Sequence, residues 1–312
     1  MATSEKTTSE PSTTNITQSL KDCIILITGS TSGLGAATAL SLARLNPTRI
    51  YISGRRSPAA ESITSQIKEI SPATDVRFLY CDLADLSSVS AAASRVLDTE
   101  SRLDILIANA GVAAVPAAVT KDGYEVHFGV NFVGHALLIR KLLPLVIAAP
   151  GGGRIVSVTS FAFRLARWGI PFDKVKPGEA QGEWFATTRW LRYAESKLAN
   201  VVYARELVRI CPEVMSVSVC PGFVETEMVA GMRWCDRLGT RMLGCLAGGM
   251  VETEEGAKNQ IWAATVGREY LVNGGVYDPV GRLCEDPGEN VTNPAVGEEL
   301  WKWTEKEIRS RI

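Results

Sequence analysis

A tyrosine and a lysine lie four positions apart in the second half of the chain, and together they could carry acid–base chemistry. The segment is Tyr193-Ala194-Glu195-Ser196-Lys197, so a helix would place Tyr193 and Lys197 on one face. A phenol with an ordinary pKa of about 10 is a poor acid or base near neutral pH. A nearby ammonium group favours the phenolate, so we expect Lys197 to lower the pKa of Tyr193. Such pairs also occur on helices by chance, so the surrounding motifs must show whether this pair is catalytic.

A glycine-rich segment near the amino terminus is typical of a phosphate-binding turn. It consists of Thr28-Gly29-Ser30-Thr31-Ser32-Gly33-Leu34-Gly35. Glycines let the backbone approach a phosphate closely, and the free N–H groups at the start of a helix favour an anion. The spacing is G-x-x-x-G-x-G and not the common G-x-G-x-x-G. Its place between a first strand and a helix predicts dinucleotide binding, with a plain change of chain direction as the alternative.

The residues after the second predicted strand indicate which dinucleotide would bind. An NAD site offers an acidic group to the ribose 2′-hydroxyl about 20 residues beyond the glycines. Here the sequence is Ser53-Gly54-Arg55-Arg56, which contains two guanidinium groups and no carboxylate. Guanidinium groups pair well with a 2′-phosphate, so we predict NADP(H) over NAD(H), bound by Arg55. The alternative is that both arginines are solvated side chains ahead of a helix.

These motifs follow strands in a chain that alternates strand and helix patterns. Strands separated by helices pair in parallel through right-handed crossovers. We therefore predict an α/β fold: a Rossmann-type doubly wound parallel sheet of about seven strands in a single domain. The predicted strands are Cys23–Thr28, Arg49–Ser53, Val76–Cys81, Leu103–Ala108, Arg154–Thr159 and Val214–Cys220, and helices are predicted over Gly33–Leu45, from Ser57, from about Ser87, over about Gly123–Ile147 and around Tyr193–Ile210.

Ligands of such sheets bind outside the carboxyl ends of the strands, where further polar residues occur. Asp82 follows the third strand, Asn109 and Gly111 follow the fourth, and Ser160 follows the fifth. Asp82 could instead cap the next helix, and Asn109 with Gly111 could instead form a turn.

Taken together, the motifs resemble those of the short-chain dehydrogenase/reductase family over about residues 21–280. The matching positions are Thr28-Gly29-x-x-x-Gly33-x-Gly35, Asn109-Ala110-Gly111, Asn131, Ser160, Tyr193-x-x-x-Lys197 and Pro221-Gly222-Phe223-Val224-Glu225-Thr226. The segments Tyr193–Asn200 and Val130–His135 are most similar to the branch that contains retinol dehydrogenases and related reductases of lipophilic substrates.

The resemblance implies a role for each matching residue. Tyr193 would exchange a proton with the substrate oxygen, and Ser160 would hydrogen-bond that oxygen. Lys197 would lower the pKa of Tyr193 and bind the nicotinamide ribose, and Asn131 would anchor a water that links Lys197 to bulk solvent. No catalytic metal is required. The cofactor would be held at the pyrophosphate by Gly29, Gly33, Leu34 and Gly35, at the adenine by Asp82 and Leu83, at the adjoining ribose by Asn109, and at the carboxamide by Val224 and Thr226, with Ser32, Ala110 and Gly111 completing the site.

Two segments depart from the family pattern. Residues 161–192 form a longer insertion than in many members and contain Trp168, Trp184 and Trp190. We interpret this insertion as a lid or wall of the substrate site, with a surface excursion as the alternative. The second segment is the substrate loop of residues 223–250, in which Met228–Met250 is rich in Met, Leu, Trp and Gly, and this composition suits a mobile cover over an apolar ligand. Structural packing or a face toward another subunit is the alternative for that segment.

Composition excludes several classes of protein. The chain has 312 residues, of which 46% are hydrophobic, and its 33 basic and 34 acidic residues leave a net charge of −1. It is too apolar to be disordered as a whole, and its near-zero charge argues against nucleic-acid binding. Seven cysteines without a CxxC pair indicate free buried thiols in a reducing compartment. The two histidines, His127 and His135, are interpreted as structural.

The termini are expected to lie outside the catalytic domain of residues 21–280. Residues 1–20 lack the apolar core of a signal peptide and the arginines of a transit peptide, so we interpret them as a flexible tail. Residues 281–312 are interpreted as a C-terminal extension. No apolar run reaches the roughly 20 residues of a membrane span, so we expect a cytoplasmic protein, with peripheral membrane attachment left open.

The sequence therefore predicts an enzyme. We expect an NADP(H)-dependent oxidoreductase that interconverts a carbonyl and an alcohol on a lipophilic small molecule, such as a retinoid, steroid, terpenoid or polyketide-like compound, in a biosynthetic pathway. A cyclase, dehydratase or isomerase on the same scaffold and a non-catalytic NADP-binding regulator are the alternatives. The complete catalytic set argues against a regulator. A homo-oligomer is compatible with the resemblance, since family members are commonly dimers or tetramers.

Overall fold

The computed structural model describes residues 19–176, 186–225, 236–238, 240–241 and 249–312. Their strands are β1 (Ile24–Ile27), β2 (Arg49–Gly54), β3 (Asp75–Tyr80), β4 (Ile105–Ala108), β5 (Arg154–Val158), β6 (Met215–Val219) and β7 (Val276–Tyr277). They form one parallel sheet in the order β3-β2-β1-β4-β5-β6-β7. The predicted doubly wound α/β fold is confirmed, and the chain changes direction across the sheet between β1 and β4.

Helices cover both faces of the sheet. They are α1 (Gly33–Ala43), α2 (Ser57–Ile70), α3 (Leu86–Leu97), α4 (Val126–Ile147), α5 (Ala186–Ile210), α6 (Thr253–Thr265) and α7 (Pro294–Ile308). Buried residues of α3, α4, α5 and α7 form one apolar cluster on one face. Buried residues of α1, α2 and α6 form a second cluster on the other.

The central strands are apolar along their whole length because both of their faces are covered. Successive side chains of a strand point to opposite faces. In β1, Leu26 accordingly packs in the first cluster, while Ile25 and Ile27 pack in the second. Ile25 is aligned with Ile50 of β2 and with Ile105 of β4, so this register continues across the middle of the sheet.

Helix α4 is long and apolar enough to cross a membrane, contrary to the expectation that no such run exists. In the fold, 72% of its apolar window is buried. Leu137 and Leu142 are completely buried in the first cluster. The apolar composition of α4 is therefore that of a helix packed against the sheet. A π-helical turn at Gly129–Val133 interrupts its regular α-helical geometry.

The C-terminal residues pack against the sheet's helical layer. The ring of Trp301 in α7 stacks on that of Tyr203 in α5, with centroids 5.4 Å apart and planes 17° apart. Arg140 in α4 donates to both carboxylate oxygens of Glu305, at 2.6 and 3.0 Å. Helix α7 therefore covers the outer face of α4 and α5.

Candidate active site

The turn after β1 has a shape that suits a phosphate. Gly29 and Gly33 have φ angles of +65° and +53°, which favour glycine. A Cβ at Gly29 would lie 2.9 Å from the Cα of Ala110, and one at Gly35 would lie 2.3 Å from the backbone oxygen of Gly29. A Cβ at Gly33 would meet no described atom within 4 Å, so the turn is open there. Ser32 does not cap α1 with its side chain, which leaves the first N–H groups of α1 available to an anion.

The end of β2 lies directly beside this turn. Ser30 N donates to the backbone oxygen of Ser53 at 3.0 Å, and Ser53 N donates to the hydroxyl of Ser30 at 2.9 Å. Arg55 and Arg56 follow, and both are exposed. Within the described part of the chain, neither guanidinium group has a hydrogen bond or an ion pair. Both arginines thus follow directly after the strand end that contacts the glycine turn.

The residue that caps α3 is not Asp82. Asp85 accepts from the backbone N–H groups of Ser87 and Ser88 and is the N-cap. Asp82 accepts from Ala84 N at 3.0 Å, which shapes the turn after β3. The alternative interpretation of Asp82 as the helix cap is therefore wrong.

The turn after β4 is joined to the end of β1. The side-chain amide of Asn109 donates to the backbone oxygen of Thr28 at 2.8 Å, and its oxygen accepts from Gln260 at 3.2 Å. Gly111 lies where a Cβ would approach the side-chain oxygen of Asn131 to 3.1 Å and Nζ of Lys197 to 3.6 Å. A glycine at this position therefore lets the turn lie against two of the predicted catalytic residues.

Asn131 lies in the π-helical turn of α4, and its side-chain amide is fully used. Its oxygen accepts from Val112 N at 2.8 Å, and its nitrogen donates to Val112 O at 3.0 Å and to the Ser196 hydroxyl at 2.9 Å. The Ser196 hydroxyl in turn donates to the backbone oxygen of Tyr193 at 2.7 Å. Asn131 thus joins the turn after β4 to α5. Its predicted contact with a water stays a prediction.

Lys197 and Tyr193 lie at the carboxyl end of β5. Nζ of Lys197 donates to Val158 O at 2.9 Å and lies 5.8 Å from the centre of the Tyr193 ring. Burial lowers the pKa of Lys197 to about 8. Ser160 also caps the 3₁₀ helix Phe161–Leu165, where its hydroxyl accepts from Ala162 N at 3.3 Å.

The predicted lowering of the Tyr193 pKa is wrong for this structure. Burial raises the pKa of Tyr193 to about 12, and a hydrogen bond with the Ser160 side chain offsets part of that rise. A phenolate in apolar surroundings loses more solvation than one hydrogen bond returns. The ammonium group of Lys197 donates to the backbone oxygen of Val158 instead.

Aromatic side chains surround Tyr193. The rings of Trp190 and His127 approach the Tyr193 ring edge-on, with centroids 6.1 and 6.4 Å away. Trp190 Nε1 donates to Asp236 at 3.1 Å, which joins the insertion of residues 161–192 to residues 223–250. Trp168 is 86% exposed and lies away from the core. Val224 is buried, whereas Thr226 and Trp184 lie outside the described residues.

Sequence reasoning missed two residues that contact the predicted site. Ser196 connects Asn131 to Tyr193, and His135 contacts the backbone oxygen of Asn131 from one helical turn away. The i, i+4 spacing of Asn131 and His135 was the available signal, since such residues share a helix face.

Comparison with known proteins gives the family. Residues 23–171 match the model of the short chain dehydrogenase family. The chain is 35% identical to human polyprenol dehydrogenase over 81% of this chain and 77% of that protein. It belongs to the short-chain dehydrogenase/reductase family. The predicted resemblance is thereby confirmed, and this family member is an oxidoreductase of a group that binds NAD(P).

Other relatives agree with this assignment. This chain is 38% identical to human retinol dehydrogenase 12, over 66% of this chain and 63% of that protein. Its fold matches that of an uncharacterized protein from Mycobacterium Paratuberculosis with a TM-score of 0.70 and 26% identity, over 95% of this chain and 97% of that one.

Proposed function

We propose that this protein is an NADP(H)-dependent oxidoreductase that interconverts a carbonyl and an alcohol on a lipophilic small molecule, with Tyr193 as the general acid–base residue. The observation that carries the proposal is the convergence of Ser160, Tyr193 and Lys197 at the carboxyl end of β5, braced by Asn131. A protein that only bound a dinucleotide would have no need of this set.

The carboxyl edge of the sheet fits the dinucleotide. The open glycine turn and the uncapped start of α1 would hold the pyrophosphate. Arg55, which has no partner among the described residues, would pair with a 2′-phosphate beside the turn. When bound, the cofactor supplies or accepts the hydride. The open glycine turn favours a dinucleotide, and the unpaired guanidinium group of Arg55 favours the one that carries a 2′-phosphate, NADP(H).

Tyr193 and Ser160 would stabilise the charge that develops on the substrate oxygen. During reduction of a carbonyl, the Ser160 hydroxyl donates a hydrogen bond to that oxygen, and the Tyr193 phenol transfers its proton there. A phenol whose pKa is about 12 holds its proton at neutral pH. This protonation state is the one that proton donation to a carbonyl oxygen requires. Lys197, with a pKa of about 8, can hold or release a proton at Nζ close to neutral pH.

The surroundings of Tyr193 favour an apolar substrate. Trp190 lies against Tyr193, and the rings of Phe161 and Phe223 pack 4.7 Å apart where β5 and β6 lead into the substrate segments. The names of two relatives specify polyprenol and retinol, which are alcohols with long hydrocarbon parts. A retinoid, steroid, terpenoid or polyketide-like carbonyl compound is therefore the proposed substrate class.

The test is NADPH oxidation against a panel of lipophilic aldehydes and ketones. We expect turnover with at least one of them, and Tyr193→Phe should lower kcat by about 10² to 10⁴ because the acid is lost. NADPH binding, followed by fluorescence, should persist in that variant. Tyr270→Phe, at a half-exposed position, is the matched control and should behave as wild type.

Two outcomes would contradict the proposal. Full turnover by Tyr193→Phe would remove Tyr193 from the mechanism. Product formed without NADPH consumption would identify a cyclase, dehydratase or isomerase instead.

A further inference from the structure

We propose that His135 is a positioning residue that couples the cofactor-binding turns to Tyr193 through one continuous chain of hydrogen bonds. The chain runs through Thr28, His135, Asn131, Ser196 and Tyr193. The inference rests on the proposed function in that Tyr193 is taken as the acid–base residue. The part of the inference that concerns NADPH binding can be tested without any substrate turnover.

The first part of the chain lies where the turns after β1 and β4 meet. The Thr28 hydroxyl accepts from the backbone N–H groups of Asn109 at 2.9 Å and Ala110 at 3.0 Å. It also lies 2.9 Å from Nε2 of His135. One hydroxyl thus holds the turn after β4 and reaches the imidazole on α4.

The hydrogen-bond partners determine the tautomer of His135. Nδ1 lies 2.9 Å from the backbone oxygen of Asn131, which can only accept, so Nδ1 carries the proton. Nε2 then accepts, and the Thr28 hydroxyl supplies its hydrogen. The other acceptor within reach of that hydroxyl, Ile107 O, is 3.4 Å away and is the weaker partner. In this arrangement every polar atom of the group has a partner.

Burial keeps His135 neutral. The residue is 3% exposed, and burial together with the nearby charge of Lys197 lowers its pKa to about 4. A proton on Nε2 would also face a Thr28 oxygen that already accepts two N–H groups. The imidazole therefore stays in one protonation state and one orientation at physiological pH.

The second part of the chain leads to the acid–base residue. Asn131, whose backbone oxygen is held by His135, donates from its side chain to Ser196 at 2.9 Å. The Ser196 hydroxyl donates to the backbone oxygen of Tyr193 at 2.7 Å. The two nitrogens of His135 thus serve opposite ends of the site. Nε2 supports the cofactor-binding turns, and Nδ1 supports the α4 turn that holds α5.

Two substitutions separate these duties. The side-chain nitrogen of Asn can take the place of Nδ1 as a donor, and the side-chain oxygen of Gln can take the place of Nε2 as an acceptor. His135→Asn should keep the donor to Asn131 and lose the contact with Thr28, which raises the Kd for NADPH about tenfold with little change in kcat. His135→Gln should keep the contact with Thr28 and lose the donor to Asn131, which lowers kcat about tenfold at saturating NADPH with little change in Kd. Each change corresponds to one hydrogen bond.

A double variant tests the hydrogen bond between Thr28 and His135. Thr28→Val keeps the side-chain shape and removes the hydroxyl. Because Thr28→Val and His135→Asn remove the same contact, the double variant should bind NADPH no more weakly than Thr28→Val alone. Additive weakening, or equal changes in kcat and Kd for both His135 variants, would show that His135 only fills space and would overturn the proposal.

Wild-type protein provides a readout that needs no variant. The ¹⁵N ring signals of His135 should show a neutral imidazole with the proton on Nδ1, and the Nε2 signal should shift when NADPH is added. A protonated ring, the other tautomer, or no shift on NADPH binding would overturn the proposal. If the wild type binds NADPH but reduces no substrate, the proposed function fails, while the NMR and Kd results still decide the role of His135.

Discussion

At the scale of single residues, burial governs protonation around Tyr193. It raises the pKa of Tyr193 to about 12 and lowers that of Lys197 to about 8. It also raises the pKa of Glu195 to about 7, an effect that Arg192 opposes and Glu125 reinforces. In each case the charged form loses solvation that the surrounding groups do not fully replace. Burial therefore shifts all three groups toward their neutral forms, although Lys197, with a pKa of about 8, stays mostly charged at pH 7.

Glu195 makes the stability of the protein depend on pH. Its pKa is about 7 in the folded protein and close to 4.5 when unfolded, so the folded state binds more protons between these values. Stability from this group is present below pH 4.5 and is lost as the pH rises through 7. Glu195→Gln should therefore stabilise the protein by up to about 3 kcal/mol at pH 8 and by less than about 1 kcal/mol at pH 5.

Thermal unfolding at the two pH values measures this difference. Glu61→Gln, at an exposed position of α2, is the matched control and should leave the melting temperature nearly unchanged at both. A Glu195→Gln variant that melts below wild type at pH 8 would mean that the carboxylate is well solvated or paired in the folded protein.

At the scale of elements, α4 shows how a local irregularity serves the site. The π-helical turn at Gly129–Val133 contains Asn131, whose side chain bridges to α5. Such turns often occur at functional positions. A Cβ at Gly129 would lie 2.4 Å from Thr120, so this turn also requires close packing against the preceding loop. The apolar pattern of the segment predicts a helix but not the extra residue in its turn.

Helix α7 should contribute to stability through Trp301. This ring stacks on Tyr203, and the guanidinium of Arg140 lies 5.6 Å from its centre. Because Trp301 is partly exposed, Trp301→Ala should lower the free energy of unfolding by about 2 to 3 kcal/mol, less than for a fully buried tryptophan. Lys302→Ala, next along the helix and paired with exposed Glu298, is the control and should cost under about 1 kcal/mol.

Chemical denaturation of both variants tests this prediction. Equal stability of Trp301→Ala and Lys302→Ala would mean that α7 lies on the domain without stabilising it.

At the scale of the whole molecule, the proposed cofactor site is built from turns that are distant in sequence. Ser30 after β1 contacts Ser53 of β2, and Thr28 contacts Asn109 after β4. The strand order places these turns side by side. A ligand that binds all of them stabilises the whole fold by mass action.

If Arg55 binds the 2′-phosphate as proposed, NADPH should stabilise the protein more than NADH does. At equal concentrations, NADPH should raise the melting temperature of wild type more than NADH does, because the 2′-phosphate gains a charge-assisted contact. Arg55→Ala should raise the Kd for NADPH about tenfold and remove most of that difference. Arg44→Ala, an exposed arginine at the far end of α1, is the control. An unchanged ratio of NADPH to NADH affinity in Arg55→Ala would contradict the assignment.

Much of this architecture follows from local sequence patterns. Short apolar runs separated by amphipathic or Ala-rich segments predict parallel strands with crossover helices, and six of the seven strands were located this way. The observed ends of some strands differ from the predicted ends because a residue there hydrogen-bonds to a loop or helix and not to a neighbouring strand. Leu103, for example, donates its N–H to Leu145 O at the end of α4, so β4 begins only at Ile105. The two-residue β7 is too short to leave a pattern.

The sequence by itself determined the fold class, the glycine turn, the Tyr193–Lys197 pair and the family, because each depends on residue types at short, fixed spacings. Only the tertiary structure decided the protonation of Tyr193 and the partners of Asn131 and His135. A pKa depends on how much solvent the fold removes, and a hydrogen bond depends on which distant atoms the sheet order brings together. Thr28 and His135 are far apart in the chain, yet they lie 2.9 Å apart in the fold.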